Sequence, residues 1–376
     1  SINVPSEWKT KKTFITIGAC DWETTLWLDG NLIGKHCGGY VPFSFNLTPY
    51  LKYDSDQKLV IRVDDDAGDP SKFKRGHALY GKQGYGNARG IWQTVYLEAR
   101  GKDYIEAVHF NPDIDNSKIN VSAHIKNDSE DILPLSLKIK TDSGFITHNI
   151  QIKPGQQKRN FDIEIPNMRL WSLDDPFLYG VEVSFGEDVI QTYFGMRKIS
   201  TKILPGTDYP YVALNNKPIY LQMALDQSYH PDGYYTFPND NFIKEEILRS
   251  KSIGLNGIRI HIKTEVPRKL YWADKLGLLV VQDLPNSWGE PDKLMKDEIK
   301  YTLEEMIKRD YNHPSIFSWV IFNEQWGLYT TNDSDDNNQN EREILPETYD
   351  WVASMYYYAK SLDQSRLIED NSPCCG

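Results

Sequence analysis

A nearly all-apolar run at 316–322 is followed directly by the polar pair Asn323-Glu324. Such a continuous run is typical of a parallel strand that is covered on both faces, and a helical pattern at 293–309 precedes it. A strand that follows a helix in this way is the repeating unit of βα barrels, whose reactive groups lie where the strands end. The sequence therefore places a carboxylate, Glu324, where such a fold carries its chemistry.

The same alternation of strand and helix extends through the last part of the chain, after about residue 202. Strands are predicted at 219–224, 257–262, 278–282, 316–322 and 366–370. Helices are predicted at 241–251, 266–276, 293–309 and 348–361, and Gly277 is expected to close the second of them. Five strands cannot close a barrel that normally has about eight.

Two strand-rich regions precede this part. Residues 1 to about 101 form short apolar segments between Gly and Pro turns, with a hairpin predicted around Asp29-Gly30. From 104 to 201 the apolar residues alternate strictly, for example at 119–125, 135–139, 161–165 and 181–185. Roughly seven such strands would form an immunoglobulin-like sandwich.

The composition of the 376-residue chain limits its partners. With 42 basic and 53 acidic residues, the net charge of -11 disfavours binding to nucleic acid or anionic membranes. No stretch approaches the roughly 20 apolar residues of a membrane helix. The four cysteines lack CxxC spacing and an accompanying His cluster. The sequence therefore predicts no required cofactor. It does not indicate whether a divalent or monovalent cation binds, and it leaves the cellular compartment unknown.

A specific motif is formed by Arg309, Asp310, Asn312, His313, Pro314, Ser315, Trp319, Asn323 and Glu324. It resembles the acid/base signature of the glycoside hydrolase family 2 exo-β-glycosidases. Segments 21–30, 38–45 and 90–97 resemble the sugar-binding sandwich of that family. Segments 170–179 and 194–197 resemble its immunoglobulin-like middle domain.

The resemblance implies three domains. These are a jelly-roll sugar-binding-like domain at 1–101, an immunoglobulin-like β-sandwich at 102–201 and a (β/α)8 TIM barrel at 202–376. It also implies that the chain is part of a longer polypeptide, because the first jelly-roll strands and three βα units would be missing. Homo-oligomers are common in the family, so a homo-oligomer is compatible with the resemblance, while the sequence itself gives no indication of the oligomeric state.

The resemblance also assigns roles near the end of the apolar strand. Glu324 would be the general acid/base, Asn323 would hydrogen-bond the 2-hydroxyl of the sugar, and Arg259 would orient carboxylates. A half-buried position among Trp319, Trp326 and Phe322 is expected to favour the neutral form of Glu324. The family's nucleophile is a glutamate after the seventh barrel strand, which would lie beyond Gly376.

Further residues are predicted to line the sugar pocket. His261 lies two residues after Arg259, hence on the same face of a strand, and is either a sugar ligand or structural. His230 follows the first barrel strand, and Asp283 ends the third. Trp288 and Trp326 lie in loops on the same rim, as stacking platforms or as loop packing. Acidic residues that could partner Glu324 in a different arrangement are Asp226, Asp283, Glu369 and Asp370.

Three functions are compatible with these features. The first is a retaining exo-β-glycosidase that binds an oligosaccharide or glycoside, with β-galactosidase ahead of β-glucuronidase and β-mannosidase. The second is a non-catalytic carbohydrate-binding fragment, since two sandwiches can bind sugars without chemistry. The third is a protein-interaction scaffold, which leaves the context of Asn323-Glu324 unexplained.

Overall fold

A computed structural model of the protein describes residues 1–65, 88–286, 291–331 and 342–373. Antiparallel sheets occupy the chain as far as Pro218, and parallel strands with intervening helices follow. The change occurs where the apolar pattern of the sequence changes from strict alternation to short continuous runs. The fold is therefore of the predicted class, with strand sandwiches first and a barrel-like sheet after them.

Short antiparallel strands form the first region. They are β1 (Ile2–Asn3), β2 (Lys12–Ile17), β3 (Cys20–Asp21), β4 (Glu23–Leu28), β5 (Asn31–Cys37), β6 (Phe43–Asn46), β7 (Asp56–Gln57), β8 (Leu59–Asp64), β9 (Gly90–Ile91) and β10 (Val95–Arg100). Sheets β10-β2-β6 and β5-β4-β8 enclose a core that contains Ile15 and Leu26. The predicted hairpin is confirmed, because Asp29 and Gly30 join β4 to β5 with φ of +47° and +82°, as a tight two-residue turn requires.

Seven longer strands form the second region. They are β11 (Tyr104–Asp113), β12 (Lys118–Lys126), β13 (Leu133–Thr141), β14 (Gly144–Ile152), β15 (Lys158–Glu164), β16 (Tyr179–Phe185) and β17 (Asp188–Phe194). A three-stranded sheet, β11-β12-β15, packs on a four-stranded sheet, β14-β13-β16-β17. Alternate residues such as Ile119, Val121, Leu135 and Leu137 are buried between the sheets. The sandwich of seven strands predicted from the alternation is present.

A parallel sheet with helices forms the third region. A small sheet of β18 (Ile199–Ile203), β19 (Pro210–Leu214) and β20 (Lys217–Pro218) precedes it. The strands that follow are β21 (Met223–Asp226), β22 (Gly257–Ile260), β23 (Leu279–Asp283), β24 (Ile316–Asn323), the short pair β25 (Thr330–Thr331) and β26 (Arg342–Glu343), and β27 (Leu367–Ser372). The helices are α1 (Asp240–Ser252), α2 (Pro267–Leu276), α3 (Lys293–Asp310) and α4 (Pro346–Leu362).

The predicted helices are confirmed, and local chemistry explains where they begin and end. The side chains of Asn239 and Asp292 accept hydrogen bonds from the first turns of α1 and α3. Gly277, at φ +74°, ends α2 in the left-handed conformation that favours glycine. The start predicted for the first barrel strand was wrong, because β21 begins at Met223 rather than at 219. The amide of Asn256 instead binds the carbonyl of Tyr220 and the N–H of Gln222, at 2.7 and 2.8 Å.

The parallel sheet has the order β21-β22-β23-β24-β27 and is open within the described residues, where no pairing joins β27 to β21. Five parallel strands in sequence order agree with the barrel prediction, and a closed eight-stranded barrel stays a prediction. The helices cover one face, with Ile258, Val280 and Ile321 in the shared core. None of the helices in the described ranges is long and apolar enough to cross a membrane.

The predicted motif around residue 312 connects the barrel sheet to the second sandwich. Asn312 accepts a hydrogen bond from the N–H of Phe110 at 2.9 Å and donates one to the carbonyl of Val108 at 2.7 Å. His313 hydrogen-bonds the buried carboxylate of Asp274, which also accepts the hydroxyl of Tyr193 from β17 at 2.8 Å. These residues lie before β24 and so fix its amino end, while Glu324 lies beyond its carboxyl end.

Arg197, which follows β17, is buried beneath the amino end of β24 and is 3% exposed. Its guanidinium donates to the carbonyls of Pro314, Ser365 and Ile316 at 3.1, 3.2 and 3.0 Å. The carbonyls of Pro314 and Ser365 have no other donor among the described residues, whereas that of Ile316 also accepts from Arg366 at 2.9 Å. A buried polar group without a partner is costly. Arg197 therefore holds the sandwich against the barrel sheet.

We expect Arg197→Ala to lower the free energy of unfolding by about 3 kcal/mol, because it leaves the carbonyls of Pro314 and Ser365 without a donor and removes one of the two donors to Ile316. Denaturant unfolding followed by tryptophan fluorescence measures this loss. Arg159→Ala is the control, since Arg159 is exposed on β15 of the same sandwich. Equal stability of the two variants would contradict the role of Arg197.

The contact between His109 and Tyr311 predicts a pH dependence of stability. The two rings stack at 4.4 Å across the interface of sandwich and barrel. Burial, aided by the charge of His124, lowers the pKa of His109 from 6.5 to about 4. The unfolded chain then binds more protons than the folded one between these values, so this stability is present above about pH 6.5 and is lost as the pH falls toward 4.

His109→Gln should therefore make the free energy of unfolding depend less on pH between 6.5 and about 4. The test is the free energy of unfolding of both proteins at several pH values from about 4 to about 7. Parallel curves for the two proteins would show that His109 makes no contribution.

Candidate active site

Glu324 lies immediately after β24, at the edge of the sheet where all five parallel strands end. Glu324 and Gln325 have φ of +52° and +62°, in the left-handed region that non-glycine residues rarely adopt. Three hydrogen bonds hold this turn. The N–H groups of Glu324, Gln325 and Trp326 donate to the carbonyl of Ser372, the Oδ1 of Asn371 and the carbonyl of Asn323, at 3.1, 3.0 and 2.9 Å. The partly buried carboxyl group is thus placed on a fixed, strained backbone.

Arg259 and Asp283 form an ion pair inside the same edge of the sheet. The Nε of Arg259 lies 3.0 and 3.1 Å from the two oxygens of Asp283, and its Nη2 lies 2.9 Å from Oδ2. Asp283 is 1% exposed and also accepts the N–H of Ile262 at 3.1 Å. Burial by itself would lower the pKa of Arg259, but the hydrogen bonds and charge of Asp283 raise it. The guanidinium therefore stays charged and fixed in direction.

Asn323 joins this ion pair to the turn of Glu324. Its Oδ1 accepts hydrogen bonds from Nη2 of Arg259 and from the hydroxyl of Ser372, each at 3.0 Å. Its N–H donates to Oδ1 of the buried Asn286, whose own amide donates to the carbonyl of Ile321 at 2.8 Å. The Nδ2 of Asn323 is buried and has no hydrogen-bond partner among the described residues. One donor of the site is therefore unused.

His261 lies beside Asp283, on the face predicted from its spacing to Arg259. Its side chain is buried, and its Nδ1 is 3.4 Å from the Oδ2 of Asp283 without forming a hydrogen bond. The structure thus groups Arg259, His261, Asp283, Asn323 and Glu324 at one edge of the sheet. Both earlier interpretations of His261, as sugar ligand or as structural residue, remain compatible with this place.

The other acidic residues at strand ends differ in their surroundings. Asp226 forms an ion pair with the buried Lys269 at 2.7 Å. Glu369 is half-buried on β27, and burial raises its pKa while the charge of Arg259 opposes that rise. Asp370 is exposed. Since Asp226 and Asp283 are both bound to cations, their geometry is that of supporting groups.

His230 lies apart from this group. Its ring packs edge-on against Phe242 of α1 at 5.2 Å, and its Nδ1 accepts the N–H of Asp232 at 3.2 Å. Within the described ranges, no hydrogen bond or ring contact links it to Arg259 or Asp283. Its placement in the pocket stays a prediction, and the contacts observed are those of a loop residue.

The tryptophans predicted near Glu324 lie in different surroundings. Trp326 packs near Ile262 and Tyr229 on the rim, as predicted, whereas Trp288 lies outside the described residues. The expectation that Trp319 and Phe322 surround Glu324 was wrong. Trp319 donates from Nε1 to Asp363 at 2.9 Å, and Phe322 packs against Trp351 of α4. Both rings therefore belong to the core under the helices.

A buried charged cluster lies next to the residues of the rim, and the sequence interpretation missed it. Lys263 is fully buried, and its Nζ donates to the carbonyl of Ser228 at 2.7 Å and lies 5.0 and 5.6 Å from the ring centres of Tyr235 and Trp92. Burial lowers the pKa of Lys263. Trp92 belongs to the first sandwich, so this ammonium ties that sandwich to the barrel rim. The available signal was the charged pair Lys263 and Glu265 directly after a buried strand.

Ser372, Asn371 and Asn286 were also missed. Each is a small polar residue at or just beyond a strand end, and that type is too common in loops to single out from one sequence. Groups of three or more His, Cys, Asp or Glu side chains that could hold a metal ion are absent from the described ranges.

Two family models match the chain. Residues 103–197 match glycosyl hydrolases family 2, and residues 209–373 match the TIM barrel domain of glycosyl hydrolases family 2. A β-galactosidase of Thermoanaerobacter pseudethanolicus is 25% identical over 325 residues, covering 85% of this chain and 43% of the relative. A β-glucuronidase of Bacteroides fragilis is 23% identical over 350 residues, covering 86% of this chain and 49% of the relative.

Solved structures show the same fold. The crystal structure of Bacteroides uniformis β-glucuronidase superimposes with a TM-score of 0.80 at 24% identity, covering 98% of this chain and 45% of that one. The chain thus spans less than half the length of these relatives. Because two models of one family match its middle and last regions, the chain belongs to glycosyl hydrolases family 2.

Proposed function

We propose that the protein is a retaining exo-β-glycosidase that hydrolyses terminal β-linked sugars, with Glu324 as general acid/base. The observation that carries this proposal is the place of Glu324, on a strained turn at the carboxyl end of β24 beside the pair Arg259–Asp283. The names of the relatives, β-galactosidase and β-glucuronidase, support the same reaction class.

In the proposed reaction, Glu324 acts twice. Its carboxylic acid first donates a proton to the oxygen of the leaving group, and a second carboxylate attacks the anomeric carbon to form a glycosyl-enzyme. The Glu324 carboxylate then removes a proton from the water that hydrolyses this intermediate. Its half-buried position leaves one side open to the leaving group and to that water.

The neighbouring residues position the sugar and the charges. Asn323 presents its unused Nδ2 donor, which we assign to the oxygen of the sugar 2-hydroxyl. Arg259 is bound to Asp283 and Asn323, and its charge also interacts with that of Glu324. Asp283 holds Arg259, so we assign it a positioning role and not that of the nucleophile. The nucleophile is expected on a later barrel strand, beyond Gly376.

β-Galactosides are the first proposed substrates, and β-glucuronides are the second. A uronate needs a cation with free donors, whereas the Nε and Nη2 of Arg259 are directed at Asp283, Asn323 and Ser372. This arrangement favours a neutral sugar. Because some relatives are named β-glucuronidases, β-glucuronides are also tested. β-Mannosides and β-glucosides complete the set of test substrates.

Hydrolysis of para-nitrophenyl β-glycosides tests the proposal. We expect the galactoside to be cleaved fastest among galactoside, glucuronide, mannoside and glucoside, because two of the three guanidinium nitrogens of Arg259 are already bound to Asp283, Asn323 and Ser372. Fastest turnover of the glucuronide would replace the first substrate by the second. No turnover of any glycoside by a polypeptide that includes the later barrel strands would overturn the proposal and favour a sugar-binding protein without catalysis.

Glu324→Gln should separate substrates by their leaving groups. A glutamine cannot donate a proton, so we expect cleavage of methyl or sugar leaving groups to slow by about 10²-fold or more, with a smaller effect on dinitrophenol in the first step. The measurement is kcat/KM on matched glycosides. Glu347→Gln, the same change at an exposed position of α4, is the control and should leave both rates unchanged. An equal loss on all leaving groups would remove Glu324 from the acid role.

A further inference from the structure

We propose that Ser372, at the end of β27, is a positioning residue for both Asn323 and Glu324. Its hydroxyl fixes which way the amide of Asn323 faces, and its carbonyl holds the backbone N–H of Glu324. The donor presented in this way, Nδ2 of Asn323, binds a hydroxyl oxygen of the substrate. This inference rests on the proposed glycosidase function for the identity of the ligand.

The contacts of Ser372 support this role directly. Ser372 is 1% exposed, and its Oγ lies 3.1 Å from Nη2 of Arg259 and 3.0 Å from Oδ1 of Asn323. Its carbonyl accepts the N–H of Glu324 at 3.1 Å. One residue of the neighbouring strand therefore touches both polar residues at the end of β24.

The directions of these hydrogen bonds follow from the donors available. A guanidinium only donates, so Ser372 Oγ must accept from Arg259, and its single hydrogen is then free for Asn323. The group of Asn323 that meets this hydrogen must be its oxygen, because an NH₂ group there would face the donors of both Ser372 and Arg259. The direction of Arg259 is itself set by Asp283. The order Asp283, Arg259, Ser372, Asn323 thus determines that Nδ2 points away from all three.

The unused donor of Asn323 is the second observation that supports this role of Ser372. Nδ2 of Asn323 is buried and lacks a partner among the described residues, although buried donors are nearly always satisfied. A ligand that brings an acceptor oxygen satisfies it, and a sugar hydroxyl is such a group. Without the Ser372 hydroxyl, Oδ1 of Asn323 keeps only the hydrogen bond from Arg259, so the amide is held less firmly and Nδ2 is aligned less well with the acceptor.

Ser372→Ala removes the hydroxyl but keeps the carbonyl that binds Glu324. We expect kcat/KM for para-nitrophenyl β-galactoside to fall by about tenfold, the usual effect of losing one buried hydrogen bond that fixes a partner. For the matching 2-deoxy-β-galactoside the loss should stay within about twofold, because the contact to Asn323 is already absent.

Two further variants separate positioning from packing. Ser372→Thr keeps a hydroxyl and should restore most of the activity on the galactoside. Ser318→Ala makes the same change on β24 at a buried serine that has no recorded bond to Asn323, and it should be neutral. Equal losses on the galactoside and its 2-deoxy form, or no loss on either, would overturn the proposal.

A measurement that needs no substrate tests the effect of Ser372 on Asn323 independently of turnover. In the ¹⁵N NMR spectrum, the side-chain NH₂ resonances of Asn323, assigned by comparison with Asn323→Asp, should shift and exchange faster with water in Ser372→Ala. They should be unchanged in Ser318→Ala. Unchanged resonances in Ser372→Ala would overturn the positioning role, whereas absence of turnover in the unmodified protein would overturn only the proposed function.

Discussion

The burial of β24 is the constraint on which the rest of the structure depends. All eight residues of Ile316–Asn323 are buried, so polar groups at both ends of the strand must find partners inside the protein. At the amino end, the carbonyls of Pro314 and Ile316 accept from Arg197, which comes from the sandwich. At the carboxyl end, Asn323 and Glu324 bind to groups from neighbouring strands. A single strand therefore links the domain interface to the candidate site.

The amino end of this strand illustrates how buried charge is shared. Arg197 and Arg366 both lie there, 3% exposed each, and Asp363 is the carboxylate bound to Arg366 at 2.7 Å. The excess donors are taken up by carbonyls, among them those of Tyr311 and His313 at 2.6 and 2.7 Å from Arg366. Such an arrangement is stable only while every partner is present, because a buried charge without its partners is costly. In the motif that resembles an acid/base signature, Asn312, His313 and Trp319 likewise bind groups at the interface or in the core, and only the last two residues lie at the candidate site.

Much of the fold could be predicted from the sequence, and so could part of the site. The period of the apolar residues predicted the seven-stranded sandwich and the helices α1 to α4, because alternation and helical spacing report directly on burial. The grouping of Arg259, Asp283, Asn323 and Glu324 followed from the family resemblance together with the rule that parallel strands end at one edge. The side of the sheet on which Trp319 and Phe322 lie could not be predicted, since a nearly all-apolar strand carries no regular alternation. Asn286 and Ser372 were missed because their roles depend on pairing between distant strands.

The position of Lys263 has a consequence for how the protein can be divided. A fully buried ammonium is enclosed by Tyr235 from the barrel rim and by Trp92 from the first sandwich. Separating these regions would expose this cation and the aromatic rings around it to water together. The first sandwich is therefore packed into the same buried cluster as the barrel rim, and engineering by module exchange must move the two as one unit.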